Sequence, residues 1–99
     1  MKTIKDNGWR NVLEQCLEFK DKKQLEVFFE VLLTVSEREE IGKRFLIIKE
    51  LIENKNTQRE IAHKLNVSIF NVSRGSNILK TCKYDFKKIL RIKRFNNDI

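Results

Sequence analysis

Residues 58–75 read QREIAHKLNVSIFNVSRG, and the polar side chains of that run are of the kind that meet DNA. Ser68, Asn71 and Ser73 can hydrogen-bond base edges, and Ile69 or Phe70 can lie against a thymine methyl. Thr57, Gln58, Arg59 and Lys80 can reach phosphates, contacts that set position without reading sequence. Catalytic chemistry has no comparable cluster. His63 stands alone, without a set of metal ligands around it. Cys16 and Cys82 form neither a nucleophile arrangement nor a disulfide framework. There is no Gly-rich phosphate loop and no zinc-protease motif. Enzyme activity and a bound metal are therefore not expected.

These side chains need elements to hold them, and the apolar spacing supplies helices. Trp9, Val12, Leu13, Cys16 and Leu17 follow the i, i+3, i+4, i+7, i+8 rhythm of one helical stripe. Leu25, Phe28, Phe29, Leu32 and Leu33 repeat it, and Val27 and Val31 add a second apolar face. A short helix apolar on two faces needs two partners, which in so small a chain points to dimerisation. Thr34 with Glu37, or Ser36 with Glu39, fits a capping box that opens a third helix, with Ile41, Phe45, Ile48 and Ile52 as its buried stripe. That helix is expected to stop near Asn54-Lys55-Asn56. Thr57 with Glu60 is a further capping box, Asn66 suits a left-handed stop, and Ser68 suits the N-cap of the next helix. Ile61, Ala62, Leu65, Val67 and Val72 are placed to pack those two short helices together. The layout is a helix-turn-helix whose second helix reads the major groove; the alternative is an ordinary αα-hairpin in a core. A last helix is expected from Tyr84 or Asp85, with Phe86, Ile89 and Leu90 inward and Lys87, Lys88, Arg91, Lys93 and Arg94 around them.

The 99 residues fit one all-α domain of about six helices. Within it, residues 1–53 would form a helical dimerisation core, 57–80 a DNA-reading head, and 84–95 a helix completing the core. Charge is divided unevenly along the chain. Residues 1–53 hold 10 basic and 11 acidic side chains, whereas 54–99 hold 11 basic and 3 acidic, net +8. The head and the last helix thus carry the attraction to a polyanion. No apolar run is long enough to span a bilayer, and the first residues lack the apolar core of a secretion signal. A cytoplasmic location without membrane association is the expectation.

Three segments carry a resemblance to a known family: LTVSEREEIGKR (33–44), TQREI (57–61) and NVSRGSNILK (71–80). Over residues 33–80, about half of the chain, the sequence resembles the bacterial tryptophan repressors. Before that stretch it matches only as amphipathic helices, and the basic C-terminal helix matches poorly. The resemblance implies an intertwined homodimer with two heads, binding operator DNA with L-tryptophan as corepressor. Carried over, Arg44 and Arg74 would sandwich the indole, one or both pairing with the carboxylate. A planar guanidinium can stack and form a charge-assisted bond at once. Thr34 would bond the carboxylate, backbone carbonyls near Val31 and Leu33 would accept from the ammonium, and Gly75 would leave room for the ligand. Ile78 stands where the family usually has Ser, which removes a hydroxyl near the ammonium and about 1 kcal/mol with it. Phe70 and Ala62 also depart, at positions where a small residue and a Lys are common.

Three readings follow. The first is a homodimeric, tryptophan-dependent repressor of tryptophan biosynthesis or uptake genes. The second is a repressor-like helix-turn-helix protein with another ligand or none. The third is a basic module that binds nucleic acid without sequence choice.

Overall fold

The structure is a computed structural model that describes the backbone of residues 4–90 and the side chains of residues 7–90. Among the described residues every regular element is a helix, six in all: α1 (Ile4–Glu18), α2 (Lys22–Leu32), α3 (Val35–Glu53), α4 (Gln58–Leu65), α5 (Ile69–Thr81) and α6 (Phe86–Leu90). The all-α reading and the number of helices match the expectation from the sequence. The chain divides into two compact units, Met1–Arg38 and Glu39–Ile99, with the boundary inside α3.

In the first unit, Asp21 caps α2 by accepting from the Gln24 backbone N–H at 2.9 Å, and the Lys20 N–H donates back to Gln24 Oε1 at 2.9 Å. Phe28 packs edge-on between Phe19 and Phe29, with ring centroids 5.1 and 5.3 Å apart. Of the two capping boxes open at the start of α3, Thr34 with Glu37 forms. The Glu37 N–H donates to Thr34 Oγ1 at 3.1 Å and the Thr34 N–H to Glu37 Oε1 at 2.9 Å. No described residue of this unit is buried. Trp9 is 64% exposed, Leu17 86% and Val31 79%. Cys16, expected inside, is only half-buried.

The core lies in the second unit. Ile61 and Val72 are fully buried, Ala62 and Ile47 nearly so, and Leu51, Leu65 and Val67 pack around them. Burying a side chain such as Ile61 or Val72 contributes about 1.5–3 kcal/mol. Thr57 and Glu60 complete the capping box of α4, at 2.8 and 3.1 Å. Asn66 ends α4 at φ 56°, ψ 49°. The Asn66 N–H donates to the His63 carbonyl and the Val67 N–H to the Ala62 carbonyl, the Schellman arrangement. Ser68 Oγ then accepts from the Asn71 N–H at 3.1 Å and starts α5. Asn54, at φ 55°, stops α3 where the polar turn was expected.

The buried stripe of α3 differs from the expected one. Ile47 faces the core, whereas Ile41 is exposed and Phe45, Ile48 and Ile52 are half-buried. The reason is α5, which approaches α3 at Gly75. A Cβ there would lie 3.1 Å from Ile47 Cγ2 and 3.4 Å from both Ile48 Cδ1 and Leu51 Cδ1. In α6, Phe86 and Leu90 are half-buried as expected, but Ile89 is exposed. Residues 91–95, the rest of the expected last helix, lie outside the described residues, and Arg91, Lys93 and Arg94 with them.

Candidate functional site

A cavity of about 210 Å³ opens between α3 and α5. From α3 it takes Glu40, Lys43, Arg44, Ile47 and Ile48, one helical face at i, i+3, i+4, i+7, i+8. From α5 it takes Asn71, Arg74, Gly75 and Ile78 on the same spacing. The structure thus brings Arg44, Arg74, Gly75 and Ile78 to one cavity. Its floor is aliphatic, and its charged lining is three cations and one carboxylate. An aromatic ring with an acidic substituent suits those walls, since guanidinium groups both stack on rings and pair with carboxylates. Gly75 is also the point where α5 comes close to α3. Nothing in the lining suits a metal, and no cluster of metal-ligand type exists among the described residues.

Glu40 and Lys43 were not singled out from the sequence. Both lie on the face of α3 that carries Arg44, so the helical spacing from Arg44 was the signal available. Val31, Leu33 and Thr34 belong to the first unit. There, Thr34 caps α3, Val31 is exposed, and the Leu33 carbonyl accepts from Arg38 Nη1 at 3.0 Å.

The candidate DNA contacts sort into four places. Ser68, Ile69, Phe70 and Asn71 form the first turn of α5 and its cap, all exposed, with Phe70 at 68%. Thr57, Gln58 and Lys80 line a common polar cleft of about 410 Å³ beside the N-terminus of α4, together with Asn54, Asn56 and Ser76. Backbone N–H groups and the helix dipole at such an end favour an anion. Arg59 is exposed on α4, outside that lining. Ser73 differs from the expectation. It is half-buried, and its hydroxyl donates to Gln58 Oε1 at 2.8 Å, so this pair ties α5 to the start of α4.

An ion pair fastens the other end of α4. Lys64 Nζ lies 2.7 Å from Glu50 Oε2, and Asn56 Nδ2 donates to Glu50 Oε1 at 3.4 Å. The Lys64 hydrogen bond holds the Glu50 carboxyl below its ordinary pKa, against an opposing push from partial burial. The same bond raises Lys64.

The all-helical architecture agrees with what comparison with known proteins finds. The model of the family described as "Trp repressor protein" matches residues 7–94.

The chain belongs to the Trp repressor family.

The match extends beyond residues 33–80 at both ends, into α1 and past α6. A Trp operon repressor homolog of Chlamydia caviae is 44% identical over 86 residues, covering 87% of this chain and 85% of that protein. One of Chlamydia trachomatis is 41% identical over 91 residues, covering 92% and 97%. One of Haemophilus influenzae is 37% identical over 84 residues, covering 84% and 82%. Trp repressors are regulatory DNA-binding proteins rather than enzymes. No helix among the described residues is long and apolar enough to cross a membrane.

Proposed function

We propose that this chain is a cytoplasmic, homodimeric transcriptional repressor that binds operator DNA when L-tryptophan occupies the cavity between α3 and α5, and so controls genes of tryptophan synthesis or uptake. The observation that carries the reading is the double use of α5. Its first turn exposes Ser68, Ile69, Phe70 and Asn71, and its next turns give Arg74, Gly75 and Ile78 to the cavity. A ligand seated there touches the reader helix directly. It can favour the DNA-binding arrangement only by its differential affinity for that arrangement, typically 1–3 kcal/mol. Family membership and relatives named Trp operon repressor homologs support L-tryptophan as that ligand.

In the DNA complex, Ser68, Ile69, Phe70 and Asn71 take the base-edge positions. Thr57, Arg59 and Lys80 take the phosphates, with Gln58 and Ser73 bracing them. The homodimer is supported by the first unit, whose apolar side chains find no burial within the described residues: Trp9, Leu13 and Leu17 on α1, Val31 and Leu32 on α2. A second copy supplies the missing surface.

The test is a gel-shift of the full chain on a palindromic candidate operator, with and without L-tryptophan, against random DNA. The expected result is operator-selective binding that tightens with tryptophan. Equal affinity for both DNAs across a salt series would instead favour a basic module without sequence choice. Operator binding indifferent to tryptophan would favour a repressor with another ligand or none, a reading for which Ile78, 57% exposed at the cavity, is the motive.

A further inference from the structure

We infer that Glu40 selects for a ligand with a free ammonium as well as a carboxylate, acting as the ammonium's partner in the α3–α5 cavity. The inference rests on the reading of that cavity as an amino-acid site. Glu40 is the one acidic side chain of the lining, which also holds Lys43, Arg44 and Arg74. None of the four is engaged in an ion pair or side-chain hydrogen bond among the described residues. This holds although Glu40 and Arg44 stand four apart on α3, a spacing at which helical ion pairs form. The lining therefore presents both charge signs unspent, cations in excess, which is the complement of a zwitterion with its carboxylate on the arginines.

An ammonium needs an acceptor, and the other side chains of the lining offer a weaker one or none. Position 78 is Ile and has no polar atom to offer. Asn71 offers an uncharged amide oxygen, a weaker partner for a cation than a carboxylate. Glu40 is exposed, so its neutral isostere leaves the fold intact.

The experiment is calorimetric titration of the full chain and of Glu40→Gln with two ligands, L-tryptophan and indole-3-propionate, which keeps the ring and carboxylate but lacks the ammonium. Glu40→Gln is expected to weaken L-tryptophan about tenfold, the worth of a charge-assisted hydrogen bond. Indole-3-propionate is expected to bind the variant as well as or better than the wild type, because a like charge has been removed. Unchanged L-tryptophan affinity overturns the inference, and so does an equal loss for both ligands. In either case the wild-type titration still shows tryptophan binding, so the parent reading stands. A wild-type chain that binds neither ligand overturns that reading and this one together.

Discussion

Replacing Gly75 by alanine sets two opposed effects against each other at one atom. In an ordinary mid-helix position the change is favourable by about 0.5–1 kcal/mol, because glycine loses more backbone freedom on folding. At Gly75 the new methyl meets Ile47 Cγ2 at 3.1 Å, short of the 3.5–4.0 Å optimum for carbon atoms. Ile48 and Leu51, each 3.4 Å away, are half-buried and have room to shift. Ile47 has none, since it is 3% exposed and locked among Ile61, Ala62 and Val72. Overpacking of this kind costs about 1–3 kcal/mol. The net expectation is a loss of about 1 kcal/mol, or a Tm lower by about 4–8 °C for a domain of this size. Gly42→Ala is the control. It also sits within α3, and a Cβ there meets nothing within 4 Å, so only the propensity gain of about 0.5–1 kcal/mol should appear. Denaturant unfolding of both variants at one protein concentration measures the difference, expected at about 2 kcal/mol. If Gly75→Ala stabilises as much as Gly42→Ala, the close approach of α5 to α3 is refuted, and the account of the cavity wall with it.

Three further predictions follow from named geometry. Asn66→Ala should destabilise by about 1–2 kcal/mol and Asn66→Gly by less or not at all, in thermal melts, because φ is 56° there. Glu50 has a lowered folded pKa, so its pairing with Lys64 stabilises fully above the carboxylate's ordinary range and is lost as pH falls through the folded value. Melts between pH 6 and about pH 3 should therefore show a steeper acid loss for the wild type than for Glu50→Gln, whose Tm near neutrality should be the lower of the two. In operator binding, Lys80→Ala should reduce the slope of log K against log salt by about 1. Lys64→Ala should leave it unchanged, because Glu50 already neutralises that ammonium.

Much of the second unit was legible in the sequence because its signals are local. A capping box needs only residues three apart, so Thr57 with Glu60 announced α4, and Asn66 and Ser68 announced the turn. What escaped depends on which face of a helix meets which neighbour. α3 is apolar at 41, 45, 46, 47, 48, 51 and 52, enough for two stripes, and a period cannot choose between them. The choice fell to α5, whose Gly75 admits Ile47. Ser73 and Gln58, fifteen residues apart, look like independent polar groups until the helices cross and join them. Glu40, in the first turns of α3, looks like a solvated charge until Arg74 and Ile78 arrive on the opposite wall. The same holds for charge: dividing the chain after Glu53 gives a basic half, yet Glu50 reaches across that division to neutralise Lys64.

The small size of the core bears on how the protein is regulated. Four buried side chains, two of them at zero exposure, hold α3, α4 and α5 together, and the first unit adds none. The cavity lies against this core, sharing Ile47 with it. A ligand that covers Ile47 and Ile48 and draws Arg44 and Arg74 together therefore adds apolar burial where the head is held to α3. It also offsets the repulsion among three unpaired cations. Both gains are available only when α3 and α5 stand at the right separation. Under the proposed function, the ligand's differential affinity is thus tied to the placement of the helix whose first turn is proposed to read DNA. Under that reading, Gly75 and Glu40 are two positions at which the coupling can be altered without touching the reading surface.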